Sequence, residues 1–500
     1  MKKLIFLFII LINFFYYTYA TTEFKGVWVA TVYNLDYPLT KTVDPTTLKS
    51  EAVSILDNVK EMGLNAIFLQ VRPSADSFYN SEIFPWSKYL TGNNGIAPNN
   101  NFDSLKFWIE EAHKRGVELH AWINPYRITK NGDTEYNLID KNSPAKLYPQ
   151  YIVKHSDGNY YFNPGIPEVR DLVIDGILEI VKKYDVDGIH MDDYFYPGKN
   201  FDDLDTYKKY GSGFSNIEDW RRNNVDLLVK ELDEKIHSEK EYMSFGISPF
   251  GIWANSSNNP LGSNTSGTES YYSHYADTRK WALNGWVDYI APQIYWERGH
   301  ESADYITLVN WWADILSNSD TKLYIGLADY RTTDAKSNSV WYNAKEIEQQ
   351  MKINYESKII SGEIHYRYSS LISEKSLFNL LKKKYAEDEV MVYINDRKIA
   401  FDYKPVIENN RTLVPLRTIF ESLDAVVGWN NNVVTAKKGE TVISIEIGSN
   451  EMKVNDKVVI LDVPAQLKNN RTYVPLRAIS EAFNNVVEWN GSYKTIKIKK

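Results

Sequence analysis

The sequence contains no cysteine among its 500 residues. It therefore forms no disulfide bond, offers no thiolate to a metal ion or to a substrate, and has no cysteine for a lipid anchor. It also lacks an excess of basic residues, since 57 lysines and arginines face 65 acidic residues and the net charge is −8. This balance gives no electrostatic footprint for nucleic acid or for an anionic membrane, and we expect neither as a partner.

Long hydrophobic runs are also missing. The apolar run Leu4–Ile12 is too short to span a membrane comfortably. Lys2 and Lys3 precede it, and Thr18-Tyr-Ala20 provides the small-x-small pattern of a signal-peptidase site. We therefore predict a signal peptide at residues 1–20, no stable membrane span, and a protein that is secreted or associated with the cell wall. A retained N-terminal anchor is the alternative.

Aromatic residues are unusually frequent. The chain has 14 tryptophans and 36 tyrosines, within an ordinary soluble composition of 43% hydrophobic and 24% charged residues. Flat aromatic faces with polar edges suit stacking on sugar rings, although large helices packed around a barrel also use them. The composition is therefore compatible with a carbohydrate ligand and does not demand one.

Between residues 21 and 385, short β-rich runs alternate with amphipathic helical stretches such as Thr47–Met62 and Ser104–Arg115. This alternation is typical of a parallel sheet with crossover helices. Eight strands are predicted, at Lys25–Val32, Asn65–Arg72, Val117–Asn124, Val186–Asp193, Met243–Pro249, Val287–Trp296, Lys322–Asp329 and Glu363–Tyr368. Eight units in a segment of this length predict a (β/α)₈ TIM barrel, an α/β fold. A doubly wound sheet is the alternative, but no glycine-rich turn follows the first strand.

Residues 390–500 contain an internal duplication. Arg411-Thr-Leu-Val-Pro-Leu-Arg417 recurs as Arg471-Thr-Tyr-Val-Pro-Leu-Arg477, and Trp429-Asn430 recurs as Trp489-Asn490. Both repeats are offset by the same number of residues, and each copy reads as hairpin, proline-started helix and hairpin. The pattern predicts a small duplicated α+β domain in which two copies complete one unit.

Polar residues at the carboxyl ends of the predicted barrel strands are the candidate site, because barrel active sites lie at that face. Side chains two residues apart share a face of a strand, so Gln70 with Arg72, and His120 with Trp122 and Asn124, are expected to point into the mouth together. The predicted binding residues are Gln70, Arg72, His120, Trp122, Asn124, His190, Tyr194, Gln293, Tyr295 and Asp329. So many polar strand ends on one rim favour a functional site over packing.

The strand end that carries Asp192 and Asp193 is the richest in acid. Cleavage of a glycosidic bond needs one carboxylate and one carboxylic acid. Asp192 shares its strand face with His190, which favours Asp192 as nucleophile or base, while Asp193 has the opposite parity and orients a neighbour or turns inward. Either acid also fits a structural role as a salt-bridged helix cap.

The partner acid is assigned to Glu297, because its aromatic surroundings would raise its pKa toward the value that an acid catalyst needs. Asp329 is the second candidate and Glu363 the third. Asp76 is placed within reach of the cleft. Arg72 and Arg127 are placed to hold a sugar carboxylate, or else to form structural ion pairs.

Metal and serine chemistry are the remaining alternatives. His120, His190 and Asp192 would form a two-histidine, one-carboxylate set if the strands brought them together. No His-Glu-x-x-His motif is present, so we expect no metal and no cofactor. Gly246-Ile-Ser248 approaches the nucleophile elbow, but Pro249-Phe250 breaks its pattern.

Several motifs together resemble the bacterial glycosyl hydrolase-like 10 family. They are Phe24-Lys-Gly-Val-Trp-Val29, Phe68-Leu-Gln-Val-Arg-Pro73, His120-Ala-Trp-Ile-Asn-Pro125, Asp187–Pro197 and Ala291-Pro-Gln-Ile-Tyr-Trp296. The resemblance covers residues 22–370 and implies a (β/α)₈ fold and glycoside hydrolysis. Some members of this family are understood to cleave peptidoglycan glycan strands, with a preference for strands without stem peptides. The Asp-Asp-Tyr segment of the family falls on Asp192, Asp193 and Tyr194.

The tail resembles the copper amine oxidase N-terminal-like, or stalk, domain. Residues 391–500 contain no histidine and no cysteine, which argues against copper chemistry there. A spacer role or attachment to the cell wall fits this segment better.

The leading interpretation is a glycoside hydrolase whose polysaccharide substrate is peptidoglycan or a related wall glycan. A non-catalytic glycan-binding protein on an enzyme-like barrel is the second interpretation, and a metal-dependent deacetylase is the third.

Overall fold

The computed structural model describes residues 24–385 and, from 390 to 499, all residues except 396, 400, 402, 469–470 and 491–493. The predicted signal peptide lies outside the described residues. The chain divides into two compact units that meet in sequence near residue 388. None of the described helices has the length and apolar character needed to cross a bilayer.

Eight strands of the first unit close into a parallel barrel in the order β1-β2-β3-β6-β7-β8-β9-β10, and β10 pairs with β1. The remaining two strands, β4 and β5, form an inserted hairpin. The ten strands are β1 (Phe24–Val29), β2 (Ala66–Arg72), β3 (Glu118–Ile123), β4 (Ile152–Lys154), β5 (Tyr160–Phe162), β6 (Gly188–Met191), β7 (Ser244–Ile247), β8 (Tyr289–Ile290), β9 (Lys322–Leu327) and β10 (Ile360–His365). The prediction of a TIM barrel is confirmed.

Helices surround the barrel and fill its connections. The α-helices are α1 (Pro45–Glu61), α2 (Lys88–Thr91), α3 (Ser104–Lys114), α4 (Gly132–Asn137), α5 (Pro144–Leu147), α6 (Pro167–Lys183), α7 (Leu204–Tyr210), α8 (Ile217–Glu239), α9 (Ser270–Ser273), α10 (Thr278–Leu283), α11 (Tyr305–Leu316), α12 (Lys345–Glu356), α13 (Tyr368–Ser373) and α14 (Lys375–Tyr385). Short 3₁₀ turns lie at Val32–Asn34, Asn99–Asn101, Pro149–Tyr151, Asp329–Thr332 and Tyr342–Ala344.

Helix α1 shows why the sequence folds this way. Asp44 precedes it, and the Asp44 carboxylate accepts hydrogen bonds from the backbone N–H groups of Thr46 and Thr47 at 3.1 Å. This caps the first turn, and Pro45 suits that turn because its missing N–H would have no helical partner. The apolar residues of α1 then recur with helical spacing and are buried against the barrel: Leu48, Ala52, Ile55, Leu56 and Val59.

All eight predicted strands overlap barrel strands. The segment predicted at Val287–Trp296 forms a regular strand only at Tyr289–Ile290. Pro292 has no N–H to donate to a ladder, so the regular strand ends early; Gln293 keeps only isolated bridges to Phe250 and Gly326, and the residues up to Glu297 follow as a loop.

The lower barrel interior is packed with large rings, which makes it a core and not a channel. The Phe24 and Tyr324 rings stack with centroids 4.3 Å apart. Glycine makes room for the rings: a Cβ at Gly246 would lie 2.2 Å from the Tyr289 ring. These rings support the side chains at the carboxyl ends of the strands.

The described residues of the second unit form three antiparallel or mixed sheets and two helices. Its elements are β11 (Met391–Ile394), β12 (Arg397–Lys398), β13 (Val406–Glu408), β14 (Arg411–Pro415), α15 (Leu416–Ser422), β15 (Val426–Asn430), β16 (Val433–Lys438), β17 (Thr441–Glu446), β18 (Glu451–Val454), β19 (Lys457–Ile460), β20 (Gln466–Lys468), β21 (Arg471–Pro475), α16 (Leu476–Ala482), β22 (Val486–Asn490) and β23 (Thr495–Lys499). The predicted small C-terminal domain is confirmed.

The two sequence copies pair with each other in this unit. Strand β14 of the first copy pairs antiparallel with β21 of the second, and Val414 lies opposite its own counterpart, Val474. The register on either side is symmetric, so the equivalent strands meet about a local twofold axis. The copies therefore share one sheet.

Candidate active site

A cavity of about 290 Å³ lies at the carboxyl ends of the barrel strands. Parallel barrel strands all end at one face, so side chains distant in sequence meet there. Aromatic side chains line much of the cavity: Trp28, Tyr33, Trp122, Tyr194, Tyr295, Tyr330 and Tyr366. Its polar lining consists of Gln70, Arg127, Lys130, Asp192, Asp193, Ser248 and Gln293.

Asp192 is held in one orientation by donors on β3 and its following loop. Asn124 Nδ2 donates to both carboxylate oxygens of Asp192, at 2.9 and 3.1 Å, and Trp122 Nε1 donates at 3.3 Å. The backbone N–H of Tyr194 donates at 3.2 Å. Burial raises the pKa of Asp192, and these donors, together with the charge of Arg127, oppose that rise. The hydrogen bonds from Asn124, Trp122 and Tyr194 favour the ionised form of Asp192.

Asp193 lies beside it and behaves differently. Burial, followed by the negative charge of Asp192, raises the pKa of Asp193 to about 7 from 3.8. A hydrogen bond from the Gln293 side chain acts in the opposite direction. Two neighbouring buried carboxyl groups do not ionise together easily, so Asp192, which accepts hydrogen bonds from Asn124, Trp122 and the Tyr194 backbone, ionises first and Asp193 keeps its proton. The environment therefore gives the pair one carboxylate and one acid near neutral pH.

A hydrogen-bonded chain supports the cavity floor. Trp28 Nε1 donates to His190 Nε2 at 3.2 Å, and the Ser248 hydroxyl contacts the same nitrogen at 2.9 Å. An indole N–H only donates, so Nε2 accepts and the neutral ring carries its proton on Nδ1. That nitrogen lies 3.0 Å from the Tyr289 hydroxyl. Burial holds the pKa of His190 well below its usual value, which keeps the ring neutral.

Three residues predicted to bind substrate directly lie behind the cavity wall instead. Asn124 positions Asp192, His190 supports Ser248 and Trp28, and His120 Nδ1 lies 3.2 Å from the Tyr289 hydroxyl deeper in the barrel. Gln70, Trp122, Tyr194, Gln293 and Tyr295, all predicted to bind substrate, do line the cavity.

Arg72 does not share a face with Gln70, contrary to expectation. The β2–β3 register shifts between Gln70 and Arg72, so Gln70 lies opposite Trp122 while Arg72 lies opposite Ile123. This bulge turns Arg72 out of the barrel, where its guanidinium carbon lies 4.0 Å from the centroid of the Phe84 ring. Asp76 is also buried behind the wall, and it is not a lining residue.

Glu297, the predicted acid partner, is not among the residues that line the cavity. Its carboxylate lies 4.0 Å from the Arg331 guanidinium and is partly exposed. The early end of β8 places it in the loop beyond the site. The structure brings only Asp192 and Asp193 together as acids lining this cavity in the described part of the chain.

Asp329 and Glu363 face the helices and not the mouth. Asp329 accepts a hydrogen bond from His365 Nδ1 at 3.0 Å, and both side chains are fully buried. Glu363 accepts hydrogen bonds from Asn354 and Tyr385. On β10, Ile364 points into the barrel, so its neighbours His365 and Glu363 point outward.

We expect Asp329→Asn to weaken the protein without changing catalysis. It replaces a charged acceptor of the His365 hydrogen bond with a neutral one, which should lower the free energy of unfolding by about 1.5–3 kcal/mol. Urea denaturation measures this loss. A fall in kcat with unchanged stability would instead place Asp329 in the site.

Sequence reasoning did not select Trp28, Tyr33, Lys130, Tyr330 or Tyr366, all of which line the cavity. Two of them carried a usable signal. Trp28 alternates with Phe24 and Gly26 on β1, and Tyr366 continues the inward face of Ile364. Tyr33 and Tyr330 lie in short 3₁₀ turns and Lys130 lies in a loop, where strand parity predicts nothing.

Among the described residues, no group of three histidine, aspartate or glutamate side chains could hold a metal ion. His120 and His190 both contact the Tyr289 hydroxyl through Nδ1, at 3.2 and 3.0 Å. That arrangement uses nitrogens that a shared metal site would need.

Fold and site together define a TIM-barrel protein with a pair of acids in an aromatic-lined cavity at the carboxyl ends of its strands. Residues 23–343 match the family model described as Glycosyl hydrolase-like 10, and residues 393–498 match Copper amine oxidase N-terminal domain. The chain belongs to the glycosyl hydrolase-like 10 family, as the motifs predicted.

Named relatives agree with this assignment. The chain is 44% identical over 370 residues to glycosyl hydrolase YngK of Bacillus subtilis, covering 73% of this chain and 72% of that protein. It is 40% identical over 373 residues to glycosyl hydrolase DigH of Escherichia coli K12, covering 70% of this chain and 84% of that protein. A solved structure, the PgaB (BpsB) glycoside hydrolase domain of Bordetella bronchiseptica, matches with 12% identity and a TM-score of 0.47, over 72% of this chain and 97% of that one.

Proposed function

We propose that this protein is a secreted glycoside hydrolase that cleaves glycosidic bonds in a cell-wall polysaccharide, with peptidoglycan glycan strands as its substrate. The observation that carries the proposal is the Asp192–Asp193 pair in an aromatic-lined cavity at the catalytic face of a barrel. Membership of a glycosyl hydrolase-like family supports the reaction class.

Asp193 serves as the acid in this proposal. A pKa of about 7 keeps it protonated on the acid side of neutrality, so that it can give its proton to the glycosidic oxygen as the bond breaks. Asp192, fixed by Asn124 and Trp122, is the carboxylate that stabilises the positive charge developing on the sugar ring. A water molecule then supplies the hydroxyl of the new reducing end, and its proton restores Asp193. This replaces Glu297 as the proposed acid.

The aromatic lining supports a sugar substrate. Tyr295 and Tyr366 stack with ring centroids 5.7 Å apart, and Tyr330 packs edge-on against Tyr366 at 6.1 Å. Such rings present apolar faces to the C–H surface of a pyranose, while their hydroxyl groups remain available to its polar edge. The predicted signal peptide and the repeated tail support a location at the wall.

The proposal is tested by incubating the full-length protein with purified, peptide-free glycan strands and measuring new reducing ends. We expect reducing ends to appear, without released acetate, and at the same rate in the presence of a chelator. Binding without any product would favour the non-catalytic glycan-binding alternative. Acetate release that a chelator stops would favour the deacetylase alternative.

We further propose that the second unit binds the wall through two equivalent tryptophans. Trp429 on β15 and Trp489 on β22 occupy matching positions of the repeat and are 47% and 41% exposed. Indole rings of this size are normally covered, and exposed ones suit stacking on sugars.

Replacing both Trp429 and Trp489 with alanine should reduce co-sedimentation with purified cell walls by roughly tenfold. Cleavage of soluble glycan should be unchanged. Val426→Ala is the matched control, since Val426 is an exposed apolar residue on the same strand as Trp429. Unchanged sedimentation of the double variant would show that the tail does not bind walls through these residues.

A further inference from the structure

Arg127 is a buried cation with its charged end turned to the cavity. Its Nε donates to the Pro73 carbonyl at 2.9 Å, and its backbone N–H donates to Asn124 Oδ1 at 2.9 Å. Arg127 is only 5% exposed and lines the cavity. Within the described part of the chain, its two terminal amino groups make no hydrogen bond and no ion pair within 4.0 Å. The Arg127 side chain is therefore held in place through Nε, while its two terminal amino groups remain available to a ligand in the cavity.

Lys130 adds a second cation on the same side. Its ammonium lies 5.8 Å from the centroid of the Tyr33 ring and 5.9 Å from that of the Tyr194 ring. The Arg127 guanidinium carbon lies 5.5 Å from the same Tyr194 ring. Burial, and then the charge of Arg127, lowers the pKa of Lys130. Lys130 also has no carboxylate within 4.0 Å among the described residues.

The charges in the cavity do not balance in the state that the proposed reaction requires. The ionisable side chains other than tyrosine that line it are Arg127, Lys130, Asp192 and Asp193. When Asp193 carries the proton that an acid catalyst needs, two cations face one carboxylate. A buried charge without a partner is unfavourable, so a bound ligand that brings one negative charge would complete the site.

We propose that Arg127 and Lys130 form a carboxylate-binding subsite that selects glycans whose sugars carry a free carboxylate. This inference rests on the proposed glycosidase function and names the substrate class of that same cavity. A guanidinium fork matches the two oxygens of a planar carboxylate, while an ammonium contributes a point charge. The carboxylate belongs either to a lactyl ether that carries no peptide or to the C5 position of a uronic acid.

The competing explanation is that Arg127 acts only on Asp192, whose pKa its charge lowers. If Arg127 had that role alone, replacing it would lower the activity on all substrates by the same factor. It would also shift the acid limb of the pH profile of kcat/KM. A subsite instead changes the preference between two glycans that differ only in the carboxylate. Selectivity, and not rate, therefore separates the two explanations.

The test measures binding to the full-length Asp193→Asn protein, in which the glycan stays intact. Four tetrasaccharides are compared by calorimetry: an N-acetylglucosamine–N-acetylmuramic acid repeat with free lactyl carboxylates, its neutral amide, an uncharged chitotetraose, and a uronate-containing tetrasaccharide. We expect one carboxylated glycan to bind about 10- to 100-fold more tightly than the neutral ones, the gain expected for a hydrogen-bonded charge. Which of the two binds identifies the source of the carboxylate.

Arg127→Gln and Lys130→Gln are each combined with Asp193→Asn. In either double variant, the dissociation constant of the preferred carboxylated glycan should come close to that of the neutral glycans. Lys208→Gln is the matched control, because Lys208 is exposed and pairs only with Asp205 on α7. Lys130→Gln keeps the test valid if Arg127→Gln does not fold.

Equal binding of the charged and neutral glycans, or selectivity that survives both substitutions, would overturn the subsite. Selective binding in a wild-type protein that releases no reducing ends would instead overturn the glycosidase and leave the subsite standing. Hydrolysis of charged and neutral glycans at equal rates would instead overturn the subsite and leave the glycosidase standing.

Discussion

Asp193→Asn is expected to lower kcat for glycan strands by about 10²- to 10⁴-fold, the usual contribution of a positioned general acid. The amide has nearly the shape of the acid but cannot supply a proton to the glycosidic oxygen. Loss should therefore be large for a sugar leaving group and much smaller for an aryl glycoside, whose phenolate leaves without protonation. Reducing-end release and phenol release from the two substrates measure this difference.

The pH profile provides a second measurement of the same residue. Asp193 has to be protonated to act, so kcat/KM of the wild type should fall as the pH rises through about 7. Asp193→Asn should lose this alkaline limb. A variant that retains the limb, or equal losses on both leaving groups, would assign the acid to another residue.

The same pKa predicts an effect on stability. Between the ordinary value of 3.8 and about 7, the folded protein holds the Asp193 proton while the unfolded chain has lost it. Stability contributed by this group is therefore present below pH 3.8 and declines as the pH rises toward 7. Asp193→Asn removes the decline, so its urea midpoint should exceed that of the wild type above neutrality. A less active but more stable variant would be typical of an active-site acid.

The strands of the barrel were predictable because burial on both faces leaves continuous apolar runs. Asp192, Gln70 and Trp122 were placed on the cavity by the alternation of side chains along those strands. Parity failed where the backbone departs from a regular strand. The bulge before Arg72 turns the Arg72 side chain to the opposite face of the strand, and no residue type in that segment predicts a bulge.

Glu297 shows a different limit. Its position was inferred by extending a strand through Val287–Trp296, but the regular ladder ends at Ile290. Once a chain leaves the ladder, the direction of each side chain depends on tertiary contacts, such as the nearby Arg331, that no local pattern contains. Lys130 also lies in a loop, which is why its relation to the cavity emerged only from the structure, whereas Arg127 was expected from the sequence to hold a sugar carboxylate.

Asp193 was recognised as an acid at the right strand end, while its assigned parity pointed away from Asp192. The strand ends at Met191, so parity no longer constrains either aspartate. Both side chains line the cavity, where burial, followed by the charge of Asp192, raises the pKa of Asp193. A sequence can show two adjacent acids, but the burial that separates their ionisation states is a property of the fold.

Asp192→Asn is expected to reduce kcat by about 10²- to 10³-fold, the loss typical of removing one preorganised electrostatic group. The amide keeps the volume and much of the hydrogen bonding to Asn124, but it no longer opposes positive charge on the sugar. It also removes the charge that raises the pKa of Asp193, so the alkaline limb of the remaining activity should move to lower pH. That shift distinguishes loss of a charge from a general disturbance of the site.

Asp329→Asn is the matched control for Asp192→Asn, since Asp329 is an equally buried barrel acid that does not line the cavity. It should leave both kcat and the alkaline limb unchanged. Full activity in Asp192→Asn would end the assignment of the acid pair. If Asp192→Asn loses activity but its alkaline limb stays at the wild-type pH, then the charge of Asp192 does not affect the group that titrates there. The catalytic acid would then have to be a residue other than Asp193, elsewhere on the barrel mouth.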